Sequence, residues 1–438
     1  MNVHESEKIA AVLQNKNYVF EKDLQGCDVI VFNTCCIRQN AENRAHGNIG
    51  ALKKLKKNNP SVIIAVGGCM TQQNGAAEAL LKKFPYVDII FGTHNLESFD
   101  KLLEQKINFK KAITEILQSR ENINHNVQAY RTSYPNAYIN IMYGCNNFCS
   151  YCIVPYVRGR EISRNFNAVL DEFKQLIAKG YKEITLLGQN VNSYGNDLAY
   201  VDDGAPGSSR PTASNFAKLI SECAKTEGKF RLRFMTNHPK DLSADMVKAM
   251  SESENICKSI HLPLQSGSDK ILSLMNRKYT SADYLKKLEM IRNIMPECTV
   301  STDIMVGFPS ETEKDFEDTL SLVKTANFSS AFTFIYSPRS GTKAFDMQEQ
   351  IDEETKKDRV QRLIKIQNEI TKKQSKEYIG KTALVLCEDF DGKKNCYMGR
   401  DFANRMIYFP SETNVIGEFI NVKVQRTGGI SLFGSKIE

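Results

Sequence analysis

A strand–helix alternation that repeats six times fills the chain after residue 134 and restricts the folds open to it. The predicted strands cover 138–143, 183–188, 230–236, 259–264, 299–307 and 331–337. The predicted helices cover 166–179, 215–227, 243–251, 281–294, 311–325 and a stretch from 353 onward. Repeated βα units of this kind favour a parallel barrel or partial barrel.

A loop with three closely spaced cysteines follows the first of these strands. Cys145, Cys149 and Cys152 form the pattern C-x3-C-x2-C, with the aromatic Tyr151 just before the third cysteine. Three thiolates can ligate three irons of a [4Fe–4S] cube and leave the fourth iron open. Structural zinc is the alternative, although zinc sites usually add a second Cys or His pair. The loop predicts a metal centre at the edge of the barrel that carries the chemistry.

The first hundred residues indicate a smaller α/β domain with a parallel sheet. Predicted strands at 28–33, 61–66 and 88–91 alternate with helices at 41–57 and 76–84, and a further helical pattern covers 101–118. Cys35 and Cys69 each follow a strand, at the edge where open α/β sheets bind ligands. These two thiols are a second candidate metal site or a coincidence. The opening helix, over residues 2–14, has no strand before it.

The last sixty residues predict a small β-barrel. Five short strands, at 382–387, 397–400, 405–409, 419–425 and 430–433, are separated by turns with Gly or Pro. Five-stranded barrels of this size often bind oligonucleotides. Basic and aromatic residues that could follow a phosphate backbone are Arg400, Arg405, Lys423, Arg426, Tyr397, Tyr408 and Phe409. An accessory packing domain with a mixed-charge surface is the alternative.

The whole-chain composition points to a cytoplasmic, non-membrane protein. No apolar run approaches the roughly 18 residues that span a bilayer, and no signal peptide opens the chain. Twelve cysteines in a reducing compartment favour metal ligation for the clustered ones. The net charge of +7 permits an anionic partner such as nucleic acid. The segment 158–161 could be a phosphate-contacting loop or solvated surface. The segment 197–214, rich in Gly, Ser, Pro and Asp, is predicted to be a surface loop.

Several long motifs make the chain resemble the methylthiotransferase family of radical S-adenosylmethionine (SAM) enzymes. They lie at 33–42, 67–72, 143–161, 187–195, 238–241, 261–268 and 301–309. The terminal barrel is similar to a TRAM domain. The amino-acid sequences of the motifs are most similar to those of the tRNA-modifying branch of the family. The resemblance implies a methylthiotransferase N-terminal domain at 1–107, a radical SAM (β/α)6 partial barrel at 131–362 and an OB-like TRAM barrel at 376–438.

What the resemblance implies is 2-methylthiolation of N6-isopentenyladenosine beside the anticodon of tRNA. Two [4Fe–4S] clusters and SAM are the implied cofactors. The cluster on Cys145, Cys149 and Cys152 would cleave SAM to a 5′-deoxyadenosyl radical, and an auxiliary cluster with Cys35 and Cys69 would supply sulfur. No side-chain base is expected, because a carbon radical must remove the adenine C2 hydrogen. The expected cofactor neighbours are Tyr151, Gln189, Gln265, Ser266, Asp303, Gly307, Phe308 and Pro309.

The resemblance also implies partners. They are the anticodon stem-loop of a tRNA and a reductant such as flavodoxin or ferredoxin, with the chain itself a monomer. The alternatives are a methylthiotransferase for threonylcarbamoyladenosine in tRNA or for a ribosomal protein, and a half-active iron–sulfur protein that binds RNA.

The last of these alternatives comes from a departure at the N-terminus. The auxiliary cluster of the family takes three cysteines, and the first of them stands in a Gly-Cys-Gln-Met-Asn stretch that residues 1–8 of this chain continue. We therefore expect a true start upstream. Cys27 is excluded as a substitute, because it lies roughly 26 Å from Cys35 along one strand. Cys36 is disfavoured because adjacent side chains of extended backbone diverge, and His4 because a lone histidine is usually on the surface.

Overall fold

A computed structural model describes residues 1–21, 23–36, 39–119, 129–198 and 215–437 of the chain. It divides into two compact units. The first comprises Met1–Thr132, Tyr143–Asn146 and Cys152–Ile162, and the second comprises Ser133–Met142, Asn147–Tyr151 and Ser163–Glu438. Most of the predicted surface loop at 197–214 lies outside the described residues. None of the described helices has the length and apolar character needed to cross a bilayer.

The first unit contains a four-stranded parallel sheet in the order β1-β2-β3-β4. Its strands are β1 (Val29–Thr34), β2 (Ile63–Gly68), β3 (Ile89–Phe91) and β4 (Ile113–Glu115). The larger helices are α1 (Asn2–Gln14), α2 (Gln39–Asn58), α3 (Ala76–Lys83) and α4 (Phe99–Phe109). The prediction of one helix over 101–118 is wrong at its end. Lys110 adopts a left-handed conformation that ends α4, and the β-branched pair Ile113 and Thr114 then pairs with β3.

The core of the second unit confirms the six-fold βα alternation. Its parallel strands are β5 (Asn136–Asn140), β8 (Glu183–Leu187), β9 (Arg231–Phe234), β10 (Ser259–His261), β11 (Thr299–Val306) and β12 (Ser330–Ile335). Between β5 and β8 in sequence lie the short strands β6 (Met142–Tyr143) and β7 (Ile162–Ser163). Strands β5-β8-β9 and β10-β11-β12 form two sheets. Backbone hydrogen bonds from Leu232 on β9 to Asn255 (2.7 Å) and from Cys257 to Leu232 (2.9 Å) link the two sheets into one partial barrel.

The helices of this alternation cover the outside of the sheet. They are α6 (Phe166–Ala178), α7 (Asn215–Ala224), α8 (Ala244–Ser251), α9 (Asp269–Leu274), α10 (Ser281–Ile294), α11 (Glu313–Ala326) and α12 (Glu353–Lys376). A short helix, α5 (Val154–Arg158), lies between β6 and β7 in sequence and belongs to the first unit. Capping boxes at Thr280 and Thr312 fix where α10 and α11 begin. The short helices α5 and α9 were not predicted, because six or fewer residues give too little periodicity to recognise.

The C-terminal segment forms the predicted closed β-barrel, in the order β13-β14-β15-β17-β16. Its strands are β13 (Thr382–Asp391), β14 (Cys396–Arg400), β15 (Met406–Phe409), β16 (Phe419–Gly428) and β17 (Ser431–Lys436). Alternate residues of β16 point into the barrel, so that Ile420, Val422 and Val424 are buried. This period of two is what fixes the register of the strands.

Candidate functional site

The middle of the three-cysteine loop is held by the turn that follows α9. The backbone N–H of Ser150 donates to the carbonyl of Met275 (3.0 Å), and the Ser150 hydroxyl donates to Leu274 (2.7 Å). The side-chain amide of Asn276 donates to the carbonyl of Phe148 (2.9 Å). The segment around Cys149 is thereby fixed from both sides before any metal binds.

Arg277, the next residue of that turn, reaches the Cys149 thiol. Its Nη1 lies 3.3 Å from Cys149 Sγ and 3.5 Å from the Tyr151 hydroxyl. A guanidinium N–H at this distance can hydrogen-bond a ligand sulfur and so orient it toward a metal. Arg277 was missed in the sequence, because the turn that carries it follows a helix too short to recognise.

The first cysteine of the loop is positioned by a close backbone approach within the first unit. The N–H of Cys145 donates to the carbonyl of Gly159 (3.1 Å). Gly144, at φ +71°, leaves room for that approach, since a Cβ there would lie 2.0 Å from the carbonyl oxygen of Arg160. Asn146 and Glu161 exchange two further hydrogen bonds, of 3.2 and 3.3 Å. Cys145 and Cys152 are both partly exposed.

This set of donors fits a cubane cluster. Among the described residues, no three Cys, His, Asp or Glu side chains are grouped as ligands of one metal ion. A cube instead binds each thiolate through a different iron. Three thiols on one loop, one of them facing a guanidinium, suit that chemistry.

The two N-terminal cysteines stand at neighbouring strand ends, as predicted. Thr34 on β1 pairs with Gly68 on β2, and the N–H of Cys69 donates to the carbonyl of Thr34 (3.0 Å). The structure adds Cys36, which the sequence disfavoured. Because β1 ends at Thr34, the extended-backbone argument does not apply, and Cys36 is fully buried. Its hydrogen bond to Cys69, against the opposing effect of burial and with the charge of Arg158, lowers the pKa of Cys69 to about 7.

The expectation that Arg158 contacts phosphate or solvent is wrong. Its guanidinium is buried and binds both carboxylate oxygens of Glu5, at 2.7 and 3.1 Å, and the Asn2 side chain at 2.8 Å. His4 is not on the surface either, since it is buried beside Glu7 at 3.2 Å. Val154 and Val157, which precede Arg158 in α5, are also buried, so the helix carries Arg158 into the interior.

Four of the expected cofactor neighbours lie near the carboxyl edge of the core sheet, three of them with partly exposed side chains, whereas Gln265 is buried. Tyr151 and Gln189 are partly exposed, and Asp303 is partly exposed beside His261 (3.4 Å). Gln265 adopts φ +71° and links to β11 through backbone hydrogen bonds with Asp303 (2.8 Å) and Met305 (2.9 Å).

Side chains of two other expected neighbours are turned into the protein. The Ser266 hydroxyl lies 3.3 Å from that of Thr319 on α11, and Phe308 packs edge-on against Tyr336 at 5.3 Å. Gly307, Phe308 and Pro309 are all buried, so this turn has no exposed side chain to offer a ligand.

Glu311 fixes the conformation of that turn. It accepts the N–H of Gly307 (2.6 Å) and Nη1 of Arg359 (2.9 Å). Burial raises the pKa of Glu311 to about 7, although both partners act in the opposite direction.

The surface of the barrel differs from the predicted one. Arg400 pairs with Glu388, Arg405 binds Asp401 (3.1 Å) and Tyr378 (2.6 Å), and Phe409 is buried in the barrel core. Lys394, Phe433 and two members of the predicted set, Tyr408 and Arg426, form a platform in which both cations are exposed, Phe433 is partly exposed and Tyr408 is buried. Tyr408 and Phe433 stack at 5.2 Å, with Lys394 Nζ 4.1 Å above one ring and the Arg426 guanidinium 4.0 Å above the other.

Comparison with known proteins agrees with this architecture. The Radical SAM superfamily model matches residues 139–323, and the Uncharacterized protein family UPF0004 model matches residues 1–92. The solved radical S-adenosylmethionine methyltransferase TsrM from Kitasatospora setae aligns with a TM-score of 0.56 at 12% identity, over 78% of this chain and 73% of that chain. The fold and the family model agree on a radical SAM domain in the central part of the chain.

Curated relatives identify the family within that class. The tRNA-2-methylthio-N(6)-dimethylallyladenosine synthase of Clostridium botulinum (strain Langeland) is 47% identical over 438 residues, covering 100% of this chain and 95% of the relative. The protein of that name from Caldicellulosiruptor saccharolyticus is 46% identical over 437 residues, covering 100% of this chain and 90% of the relative. The chain belongs to the tRNA-2-methylthio-N(6)-dimethylallyladenosine synthase family. Its cofactors are a [4Fe–4S] cluster and SAM, and a second, auxiliary cluster is typical of the family.

Proposed function

We propose that this chain adds a methylthio group to C2 of N6-dimethylallyladenosine beside the anticodon of tRNA. The observation that carries the proposal is the 47% identity with a synthase of that name over the full 438 residues. Target bases in a single-stranded loop are easier to unstack than paired ones, which suits a buried reaction centre.

We assign the loop cysteines Cys145, Cys149 and Cys152 as ligands of the SAM-cleaving cluster, and Cys35 and Cys69 as ligands of the auxiliary one. When bound, the first cluster and SAM supply the radical that removes the C2 hydrogen, and the second cluster supplies sulfur. Cys36 is a cysteine that hydrogen-bonds Cys69 directly, and we add it to the auxiliary site.

The rest of the cofactor site is a scaffold that binds and orients. Tyr151, Gln189, Gln265 and Asp303 offer side chains to SAM, and the Gly307-Phe308-Pro309 turn offers its backbone. Ser266 supports the site through Thr319. No residue is assigned as a general base, since the reaction removes a hydrogen that no side-chain base can abstract.

The barrel and the partners complete the proposal. Residues 1–107, 131–362 and 376–438 act as sulfur-supplying, radical-generating and RNA-gripping domains. Proteins hold single-stranded RNA with basic side chains along the backbone and aromatic side chains next to the bases, and the platform brings exposed Lys394 and Arg426 together with the partly exposed Phe433. We further propose a monomer, acting in the cytoplasm, that takes electrons from a flavodoxin or ferredoxin.

The function is tested by anaerobic reconstitution and nucleoside mass spectrometry. With dithionite, SAM and an isopentenylated anticodon stem-loop, the full chain is expected to hold about eight irons, as two four-iron clusters require, and to form the methylthio nucleoside. Cys149→Ala should abolish product. A product on threonylcarbamoyladenosine or on a ribosomal protein, with none on the isopentenylated loop, would contradict the proposal.

The RNA platform is tested separately by binding. Arg426→Ala should weaken binding of the stem-loop and reduce the salt slope by about 1, the change expected for one lost phosphate contact. Arg405→Ala is the control within the same barrel, because Arg405 is engaged by Asp401 and Tyr378. Equal losses in both variants would place the RNA elsewhere.

A further inference from the structure

Arg277 is a buried cation for which the described residues provide no carboxylate partner. It is 8% exposed. Its donors reach Tyr279 (2.9 Å), Cys149 Sγ (3.3 Å), the Tyr151 hydroxyl (3.5 Å) and the carbonyl of Pro263 (3.1 Å). A guanidinium stays charged in proteins, and a buried charge without an opposite charge is strongly unfavourable.

Among these contacts, only the Cys149 sulfur becomes an anion under working conditions. Phenols ionise near pH ~10, and burial raises the pKa of Tyr279 further. The carbonyl of Pro263 is neutral. The thiol of Cys149 becomes a thiolate as soon as it ligates iron. The counter-charge of Arg277 is therefore the metal centre.

The position of this guanidinium is fixed by the protein. The Tyr279 hydroxyl donates to the carbonyl of Leu264 (2.8 Å) while it accepts Nε of Arg277. The backbone N–H of Arg277 donates to the backbone carbonyl of Leu272 in α9 (2.8 Å). A cation held this rigidly contributes its field without rearranging when an electron arrives.

We propose that Arg277 is a positioning residue that raises the reduction potential of the cluster ligated by Cys149. One added electron makes the cluster more negative by one charge, and a fixed cation with an N–H at the ligand sulfur stabilises that state. Hydrogen bonds to sulfur are a known determinant of cluster potential. The proposal rests on the assignment of Cys149 as a cluster ligand.

The test is a dye-mediated redox titration of the full reconstituted chain, followed by electron paramagnetic resonance. The signal that changes when SAM is added reports the cluster with the open iron. Arg277→Gln should lower its midpoint by at least about 59 mV, a tenfold change in a one-electron equilibrium. Arg277→Lys, which keeps the charge and loses the planar fork, should fall between Arg277→Gln and the wild type. Arg362→Gln, on the exposed side of α12, is the control and should match the wild type.

The outcomes separate the role of Arg277 from the assignment of Cys149 as a cluster ligand. Midpoints of Arg277→Gln and Arg277→Lys equal to that of the wild type, at full iron content, would overturn the role of Arg277. If Arg277→Gln does not hold iron, a wild-type midpoint in Arg277→Lys overturns it instead. A wild-type chain without a SAM-sensitive signal would contradict the assignment of Cys149, and with it the proposed function.

Discussion

At the residue scale, several buried polar groups near the two candidate centres have fixed ionisation states. His238 is 5% exposed, and its Nδ1 accepts the N–H of Lys240 (3.2 Å). Burial, together with the charges of Arg277 and Lys240, lowers the pKa of His238 to about 2. The imidazole is therefore neutral in the folded protein throughout the physiological range.

This neutrality predicts an acid-sensitive contribution to stability. The unfolded chain binds a proton on this histidine below pH ~6.5, whereas the folded chain does not. Wild type should lose up to about 1.4 kcal/mol per pH unit more than His238→Gln as the pH falls from 6.5 to 4.5. Urea unfolding at several pH values measures the difference. Parallel pH profiles would show that His238 is protonated in the folded state.

Arg158 and Glu5 give a second prediction for single residues. Removing one partner of a buried ion pair leaves an uncompensated charge, so Arg158→Met should cost about 3–5 kcal/mol of unfolding free energy. Glu5→Gln combined with Arg158→Met should lose less than the sum of the two single changes. Additive losses would mean that the two side chains do not interact.

At the scale of elements, the turn after β11 depends on glycine. Gly307 has φ +70°, and a Cβ there would lie 2.3 Å from Cγ of Lys356. Gly380 has φ +87° with open space around it. Gly307→Ala should therefore destabilise the protein beyond the roughly 1–2 kcal/mol of left-handed strain that Gly380→Ala alone incurs. The difference in destabilisation between the two variants, measured by thermal unfolding, gives the contribution of the steric clash with Lys356. Equal losses would show that Lys356 moves aside freely.

At the scale of the whole molecule, one arginine of the core fastens the barrel. Arg231 on β9 donates to the carbonyls of Leu384 (2.7 Å) and Arg400, and its guanidinium lies 4.4 Å from the Phe402 ring centre. Within the second unit, this single buried side chain bonds the backbone of two barrel strands. The barrel is thereby attached to the core sheet of the same unit.

Arg231→Met should loosen that attachment. Two buried carbonyls would lose their donor, at about 1–3 kcal/mol each. Hydrogen exchange should increase at 382–400 while protection at 299–306 is retained. The control is Arg362→Met, since exposed ion pairs contribute about 0–1 kcal/mol. Unchanged exchange at 382–400 would place the attachment in other contacts.

The sequence by itself determined the repeating elements and the contiguous motifs. The βα alternation, the terminal barrel and the three-cysteine loop depend on neighbours a few residues apart, so their patterns are readable in one dimension. Strand endings also put Cys35 and Cys69 at one edge of a parallel sheet. The shared cause is periodicity, which is a local property of the chain.

Only the tertiary structure decided which candidate side chains contact each other and which are buried. Cys36 meets Cys69 because β1 ends at Thr34, Ser266 turns to Thr319, and Arg158 is buried against Glu5. Arg277 and Cys149 are far apart in sequence, and no periodicity connects them. Contacts of this kind follow from how the elements pack, because the energy of a buried charge depends on the groups that surround it in space.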